Sequence, residues 1–344
     1  MVLAQKSCKT TAVKVLCVIE PGRAPSTRLR LGDCVERYRQ ADIEITTASA
    51  RRSSFRERRR LIREARRHDL VILFKTTGFS ALDLRFLRRN NPRIIFDYDD
   101  AVMFRELKYA RNIRLREFER FVRTVEHCSA VVAGNRFLAD FADACGKRTV
   151  ILPTPVDISK YVIRDSEPND LTIGWVGLSD GFVYLHAIRS ALQQLTRLFP
   201  KLKLRVISDK PLQLDGVIVE NEQWQLEREQ ANLSRFSIGI MPLTDTLWTR
   251  GKCGYKILQY MAAGIPVVAS AIGANRDIVT HGENGFLAAT AEDWVRDIST
   301  LAADPVLRRK FGIKGRELVE QKYSLNQFAD RYIKLMREVV AGGR

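Results

Sequence analysis

Along this 344-residue chain, short β-branched runs alternate with longer helix-patterned segments, and the alternation is run through twice. In the first half "AVKVLCVIE", "IEITTAS", "DLVILFKT", "RIIFDYDD", "SAVVAGN" and "TVILPTP" read as strands. Helix patterns lie between them, near Arg28–Arg39, Arg56–Arg67, Ala81–Arg89, Arg114–Glu126 and Arg136–Ala144. Strands separated by helices in this way pair in parallel through right-handed crossovers, and the helices cover both faces of the sheet. The prolines of "LPTPVD" (152–157) and the polar "RDSEPND" (164–170) interrupt the pattern. It restarts with "LTIGWVG", a helix over Leu185–Phe199, "LKLRVIS", "GVIVE", a helix near Leu226–Arg235, "SIGIMPL", a helix from about Gly254 to Ala263, "PVVAS" and "GFLAA". From Ala291 to Val340 the pattern is helical throughout, closing on the amphipathic "SLNQFADRYIKLMREVV". The predicted fold class is α/β, with two doubly wound domains, 1–155 and 156–324, and a final helical segment, 325–344. Ligands of such sheets bind beyond the carboxyl ends of the strands, so the cleft between the two domains is the expected site.

Charge narrows the partners. The chain carries 57 Lys/Arg against 40 Asp/Glu, a formal +17, and the excess is regional. Residues 51–123 hold 21 Lys/Arg and 10 Asp/Glu, a net +11. Nucleic acid, an anionic membrane surface and acidic small molecules are the partners such a region suits, and a solvated face with no partner is the plain alternative. In 51–67 and 105–126 the arginines interleave with Leu61, Ile62, Phe118, Phe121 and Val122, as in helices that pack one face and present cations on another. No aromatic platform or reader module for nucleic acid accompanies them, so we expect no nucleic-acid partner. No run reaches the roughly 18–20 apolar residues of a bilayer span, and none resembles a signal peptide. The six cysteines show no C-x-x-C pairing and the four histidines form no constellation, which points to buried or free thiols in a reducing cytoplasm. A cytoplasmic protein able to sit peripherally on the inner face of the cell membrane is the expectation.

The sharpest motif is "TRGKCGYKILQYMAAGIPVVAS" (249–270). Arg250, Lys252 and Lys256 crowd a helix start, where the backbone dipole is positive and cations are normally disfavoured. A bound anion would resolve the conflict: free N–H groups, glycines at 251 and 254 that allow close approach, and flanking cations suit a diphosphate. The alternative is a surface helix whose lysines point into water. "DYDD" (97–100) admits three readings: a divalent-metal site on a nucleotide diphosphate, acids at the cleft mouth that contact donor or acceptor hydroxyls, or loop acids paired with arginines such as Arg105. We take the second for Asp97, Asp99 and Asp100 and expect no metal. Trp224 follows a predicted strand end and could stack on a nucleobase or fill the core. Ser208 and Asp209, after "LRVI", are weaker nucleotide contacts.

At these residues the sequence resembles family 4 glycosyltransferases, enzymes of the GT-B fold with two Rossmann-like domains facing an interdomain cleft. The run 252–288 carries the likeness, extended by "SIGIMPL" (237–243) and "DPVLRRKFGIKGRELVEQKYS" (304–324). In the first domain it rests only on "STRLR" (26–30) and "FDYDDAVMF" (96–104). The resemblance implies an N-terminal acceptor-binding domain, a C-terminal nucleotide-sugar-binding domain and a last helix crossing back to the first domain. It also implies transfer of a hexose-type sugar, with retention at the anomeric carbon, from a nucleotide-sugar to a hydroxyl of a lipid-linked or cell-envelope glycan, as in polysaccharide biosynthesis. No cofactor other than the donor substrate is implied.

Two glutamates eight positions apart usually mark the family; here Gly251 and Gln259 stand in their places, and the basic pair expected in "GWVGLSDGFVYL" (174–185) is missing. Carry-over assigns Gln259 to the ribose and leaves the diphosphate to Arg250, Lys252 and Lys256, with Arg28 contributing from the opposite domain. The full expected set is Lys252, Lys256, Asp99 and Asp100 in catalysis; Arg250, Gly251, Gly254, Tyr255, Gln259, Gly177, Ser179, Ser208 and Trp224 on the donor; Arg28 and Asp97 on acceptor or sugar. The second reading is a non-catalytic GT-B protein that binds a nucleotide, a glycan or a partner enzyme.

Overall fold

A computed structural model describes residues 12–19, 25–49, 54–104, 115–163 and 170–342. The first sheet contains β1 (Val13–Ile19), β2 (Ile43–Ser49), β3 (Leu70–Phe74), β4 (Ile94–Tyr98), β5 (Ala130–Ala133) and β6 (Thr149–Ile151), in the spatial order β2-β1-β3-β4-β5-β6. The second contains β7 (Thr172–Val176), β8 (Lys203–Ser208), β9 (Val219–Gln223), β10 (Ile238–Met241), β11 (Val267–Ser270) and β12 (Gly285–Ala288), in the order β12-β11-β10-β7-β8-β9. All these pairings are parallel, and central strands such as "LVILF" and "TIGWV" are buried along their whole length, as strands covered on both faces must be. The strand order reverses between β1 and β3 in one sheet and between β7 and β10 in the other. A crevice therefore opens at the carboxyl ends of each of these pairs.

The chain crosses between the domains at one point and returns at another. Val156 donates its N–H to the Tyr323 carbonyl and accepts from the Leu325 N–H, which ties the outgoing strand to the returning one. After Ser324 caps it, the Leu325–Ala341 helix lays Phe328, Tyr332, Met336 and Val339 against Val15, Cys17 and Ile72 of the first sheet.

Local structure departs from the sequence-based reading in several places. The "GVIVE" strand begins late, at Val219, because the Val217 N–H is taken up by Leu214 in a turn. The helix expected over Leu185–Phe199 is two, Phe182–Ala187 and Arg189–Leu198, broken at Ile188. The tail is interrupted where Asp304 caps the Pro305–Leu318 helix and again at Ser324. Segments 51–53, 105–114 and 164–169, with Arg105, lie outside the described residues.

Candidate functional site

The start of the 249–270 motif, the turn 250–253, meets Asn135 and the residues after β4 of the first domain. The Tyr255–Ala262 helix starts at Gly254, whose φ of 67° is in the left-handed region, and no side chain caps its first turn. A Cβ at Gly254 would also come within 2.4 Å of the Ile278 side chain, so only glycine fits there. Lys256, in that first turn, holds its ammonium 5.0 Å over the Trp175 ring. Gly177, just beyond β7, leaves room for it; a Cβ there would lie 2.8 Å from Lys256 Cε. Among the described residues no carboxylate pairs with Lys256. Burial, and then the neighbouring Lys252, push its pKa down to about 8. An under-neutralised lysine at an uncapped helix start is a place where an anion gains and the protein's own charges lose.

Lys252 stands beside it, 4.8 Å over the Trp248 ring and 3.4 Å from Asp100 Oδ1. Arg250 differs from the expectation: its guanidinium is held by both oxygens of Asp245, at 2.6 and 2.9 Å, so its charge is already answered. Its contribution is its backbone. Asn135, which caps the Arg136–Asp143 helix through the Leu138 N–H, donates its amide to the carbonyls of Arg250 and Lys252 at 3.2 and 3.0 Å, joining the domains. Gly251 belongs to the same joint. A Cβ there would lie 2.6 Å from the Ala101 Cβ and 2.9 Å from its backbone nitrogen, so no glutamate fits at 251 in this arrangement.

The first domain presents the end of β4. Asp97 is a correction: it is wholly buried in an ion pair with Arg30 at 2.7 Å, behind the cleft rather than at its mouth. Burial pushes the Asp97 carboxyl upward more than Arg30 draws it down. Asp99 is held by Lys75 at 2.8 Å and by the Thr154 hydroxyl at 2.9 Å. Asp100 pairs with Lys75 and Lys252. Burial opposes its charge, but Lys252 and Lys75 outweigh it and hold the carboxyl well below the usual range. Of the three readings of "DYDD", pairing with cations therefore describes Asp99 and Asp100, with lysines in place of arginines. The described residues hold no group of three or more His, Cys, Asp or Glu arranged for a metal ion.

Lys75 was not singled out in the sequence. It occupies a left-handed backbone position (φ 53°) directly after β3 and also reaches Ser26 after β1, across the crevice where the strand order reverses. Its sequence signal was its place at the end of the apolar run "LVILF". Arg28 makes a 3.8 Å contact with Asp33 and is partly exposed.

The remaining candidates of the second domain follow β7, β8 and β9 or lie on the Tyr255–Ala262 helix. After β7 and β8, Ser179 donates its N–H and hydroxyl to Asp209, and Ser208 donates to the same carboxylate. Trp224 donates its backbone N–H to the Ser208 carbonyl, and the residue is 40% exposed, which removes it from the core. Gln259, one turn beyond Lys256, is buried and donates its amide to Glu229 Oε1 at 2.7 Å and to the Tyr161 hydroxyl at 3.2 Å. Tyr161 donates to the same Glu229 oxygen at 2.9 Å. Burial pushes Tyr255 well above the usual tyrosine range, with Tyr161 and Glu229 adding to it.

Comparison with known proteins agrees with this architecture. Residues 172–304 match the family model described as glycosyl transferases group 1. The chain superposes on Anabaena HepE, solved in complex with UDP and glucose, with a TM-score of 0.73 at 15% identity, covering 95% of this chain and 100% of that one. It superposes on sucrose-phosphate synthase from Thermosynechococcus elongatus with a TM-score of 0.71 at 13% identity, covering 96% and 100%. In sequence it is 30% identical over 87 residues to the alpha-1,3/1,6-mannosyltransferase ALG2 of Dictyostelium discoideum, 25% of this chain. That match spans about a fifth (21%) of the relative's length, as does the 26% identical match to trehalose synthase of Pyrococcus horikoshii. The chain has the GT-B fold, and its second domain matches the model of the group 1 glycosyltransferases over residues 172–304.

Proposed function

We propose that the protein is a retaining glycosyltransferase that moves a sugar from a nucleotide-sugar to an acceptor hydroxyl, with the donor diphosphate at the Lys252–Lys256 corner. The observation that carries this reading is Lys256, a cation without a carboxylate partner among the described residues at an uncapped helix start. As the bond from the anomeric carbon to the diphosphate breaks, negative charge builds on the leaving oxygen. Lys256, Lys252 and the free N–H groups of the helix start are placed to stabilise it. The donor is itself the substrate, and the chemistry assigned here needs no separate cofactor. Asp100 and Lys75 orient Lys252; Gly177 leaves room for the Lys256 side chain, and Gly254 starts the helix in the left-handed region. We assign Ser179, Ser208, Tyr255 and the exposed Trp224 to the nucleoside, with Arg28 contributing from the first domain.

For the acceptor, the favouring observation is the outer face of the first domain. Arg56, Arg59, Arg60, Arg63, Arg66, Arg85, Arg88 and Arg89 are exposed on the Phe55–Arg67 and Ala81–Asn90 segments, beside the exposed Phe55, Leu82 and Phe86. Cations interleaved with apolar side chains suit an anionic bilayer surface, so we place the acceptor on a lipid-linked or cell-envelope glycan reached at the membrane; vesicle binding tests this. No described helix is long and apolar enough to cross a membrane.

The test of the donor reading is release of nucleoside diphosphate from a panel of nucleotide-sugars, with membrane lipid extract as acceptor source. Lys256→Ala is expected to lower kcat/KM by about a hundredfold, the scale of one lost oxyanion donor. Release from no donor at all would favour a non-catalytic GT-B protein. Turnover by Lys256→Ala equal to the parent would remove the lysine from the mechanism.

A further inference from the structure

Among the described residues no cation answers the carboxylate of Glu229, and one of its oxygens is unpaired. Asp99 and Asp100 are held by lysines, and Asp209 by Ser179 and Ser208. Asp209 has donors on both oxygens, whereas Glu229 receives its two, Gln259 Nε2 and the Tyr161 hydroxyl, on Oε1 alone. Its Oε2 has no partner among the described residues, and the residue is only half-buried, so that oxygen is open to a ligand. Gln259 and Tyr161 are 4% and 6% exposed, which makes the support rigid.

Gln259 makes sense only beside this carboxylate. Two ionised carboxylates at a contact of 2.7 Å could not both keep their charge, whereas an amide N–H donates to one. The position is also defined along the ligand. Glu229 opens the short Glu229–Leu233 helix that follows β9 and Trp224, and Gln259 lies one turn past Lys256. A group held there lies by Gln259, one turn along the helix from Lys256, and on the element that follows Trp224. In a nucleotide that group is the ribose, whose vicinal hydroxyls are two donors suited to a carboxylate.

We propose that Glu229, oriented by Gln259 and Tyr161, is the carboxylate that binds the ribose diol of the donor. The assignment rests on the nucleotide-sugar reading above. It makes Glu229 a specificity-determining residue and Gln259 a positioning residue.

The test is calorimetric titration of the full chain with uridine and guanosine diphosphates, their 2′-deoxy analogues and inorganic pyrophosphate. The parent protein is expected to prefer the ribose form of its nucleotide by about tenfold or more, the scale of a charge-assisted hydrogen bond. Glu229→Gln should abolish that preference while leaving affinity for the 2′-deoxy form and for pyrophosphate unchanged. Gln259→Glu should weaken ribose binding through like charge. The exchange variant E229Q/Q259E, which swaps carboxylate and amide across the same hydrogen bond, should regain the preference. Equal affinity of the parent for ribose and deoxyribose forms would overturn the assignment. So would a Glu229→Gln variant that keeps the preference or loses both forms equally, the mark of a purely structural role. Binding of pyrophosphate but of no nucleotide would overturn it and confine the corner to simple anions; binding of none of them would overturn the donor reading itself.

Discussion

Lys256 carries the residue-scale argument because its charge is unstable where it stands. Burial and Lys252 bring its pKa to about 8 from an ordinary lysine value. A bound diphosphate favours the charged form and raises that pKa again, so binding above pH 8 takes up a proton. Affinity for a nucleoside diphosphate is therefore expected to be flat between pH 7 and 8 and to fall above it, by up to about tenfold per pH unit. Calorimetry across pH 7 to 10 checks this. The Lys256→Ala variant should bind more weakly and lose the slope; a slope unchanged in that variant would assign it to another group.

Individual residues were legible in the sequence unevenly. The conflict of cations with a helix start was visible from 249–270 alone, because helix polarity is local. Burial of Asp97 was not, since Arg30 meets it only when β4 packs beside the loop after β1. Gly251 looked like a lost carboxylate, but its meaning is the contact with Ala101 in the other domain. Glu229 was equally hidden: its partnership with Gln259 spans 30 residues and depends on how two helices lie over one sheet edge.

At the scale of elements, strand positions followed from composition because fully buried parallel strands must be apolar throughout. Strand and helix ends did not, as at Val219 and Ile188, where a turn hydrogen bond or a short break decides. The two basic helices of the first domain are fastened to each other by Arg58 and Asp83 at 2.8 Å, while Arg59 lies 5.0 and 5.3 Å from the exposed Phe55 and Phe86 rings. At about 1 kcal/mol per cation near an anionic leaflet, several such arginines are enough for reversible docking. The protein is expected to co-sediment with vesicles containing anionic lipid and not with neutral ones, and less at high salt. Arg59→Glu combined with Arg63→Glu should reduce that binding at least tenfold without changing the melting temperature greatly. Equal sedimentation with neutral vesicles would argue against this face as the membrane contact.

At the scale of the whole molecule, the two domains are joined by the crossing at Val156 and Tyr323, by the last helix packed on the first sheet, and by the Asn135 and Asp100 contacts to the 250–252 turn. The joint brings Lys75 and Asp100 of one domain to Lys252 of the other, so the anion corner is complete only with both domains in place. The central claim is that this corner holds the diphosphate of a nucleotide, and thermal unfolding in the presence of nucleoside diphosphates tests it most directly. A ligand at about 100 times its Kd contributes about 2.7 kcal/mol to the folded state. The account predicts that diphosphates of one base raise the melting temperature by several degrees in the parent protein and leave the Lys252→Ala/Lys256→Ala variant unmoved. No stabilisation by any nucleoside diphosphate, or the same stabilisation in that variant, would contradict it.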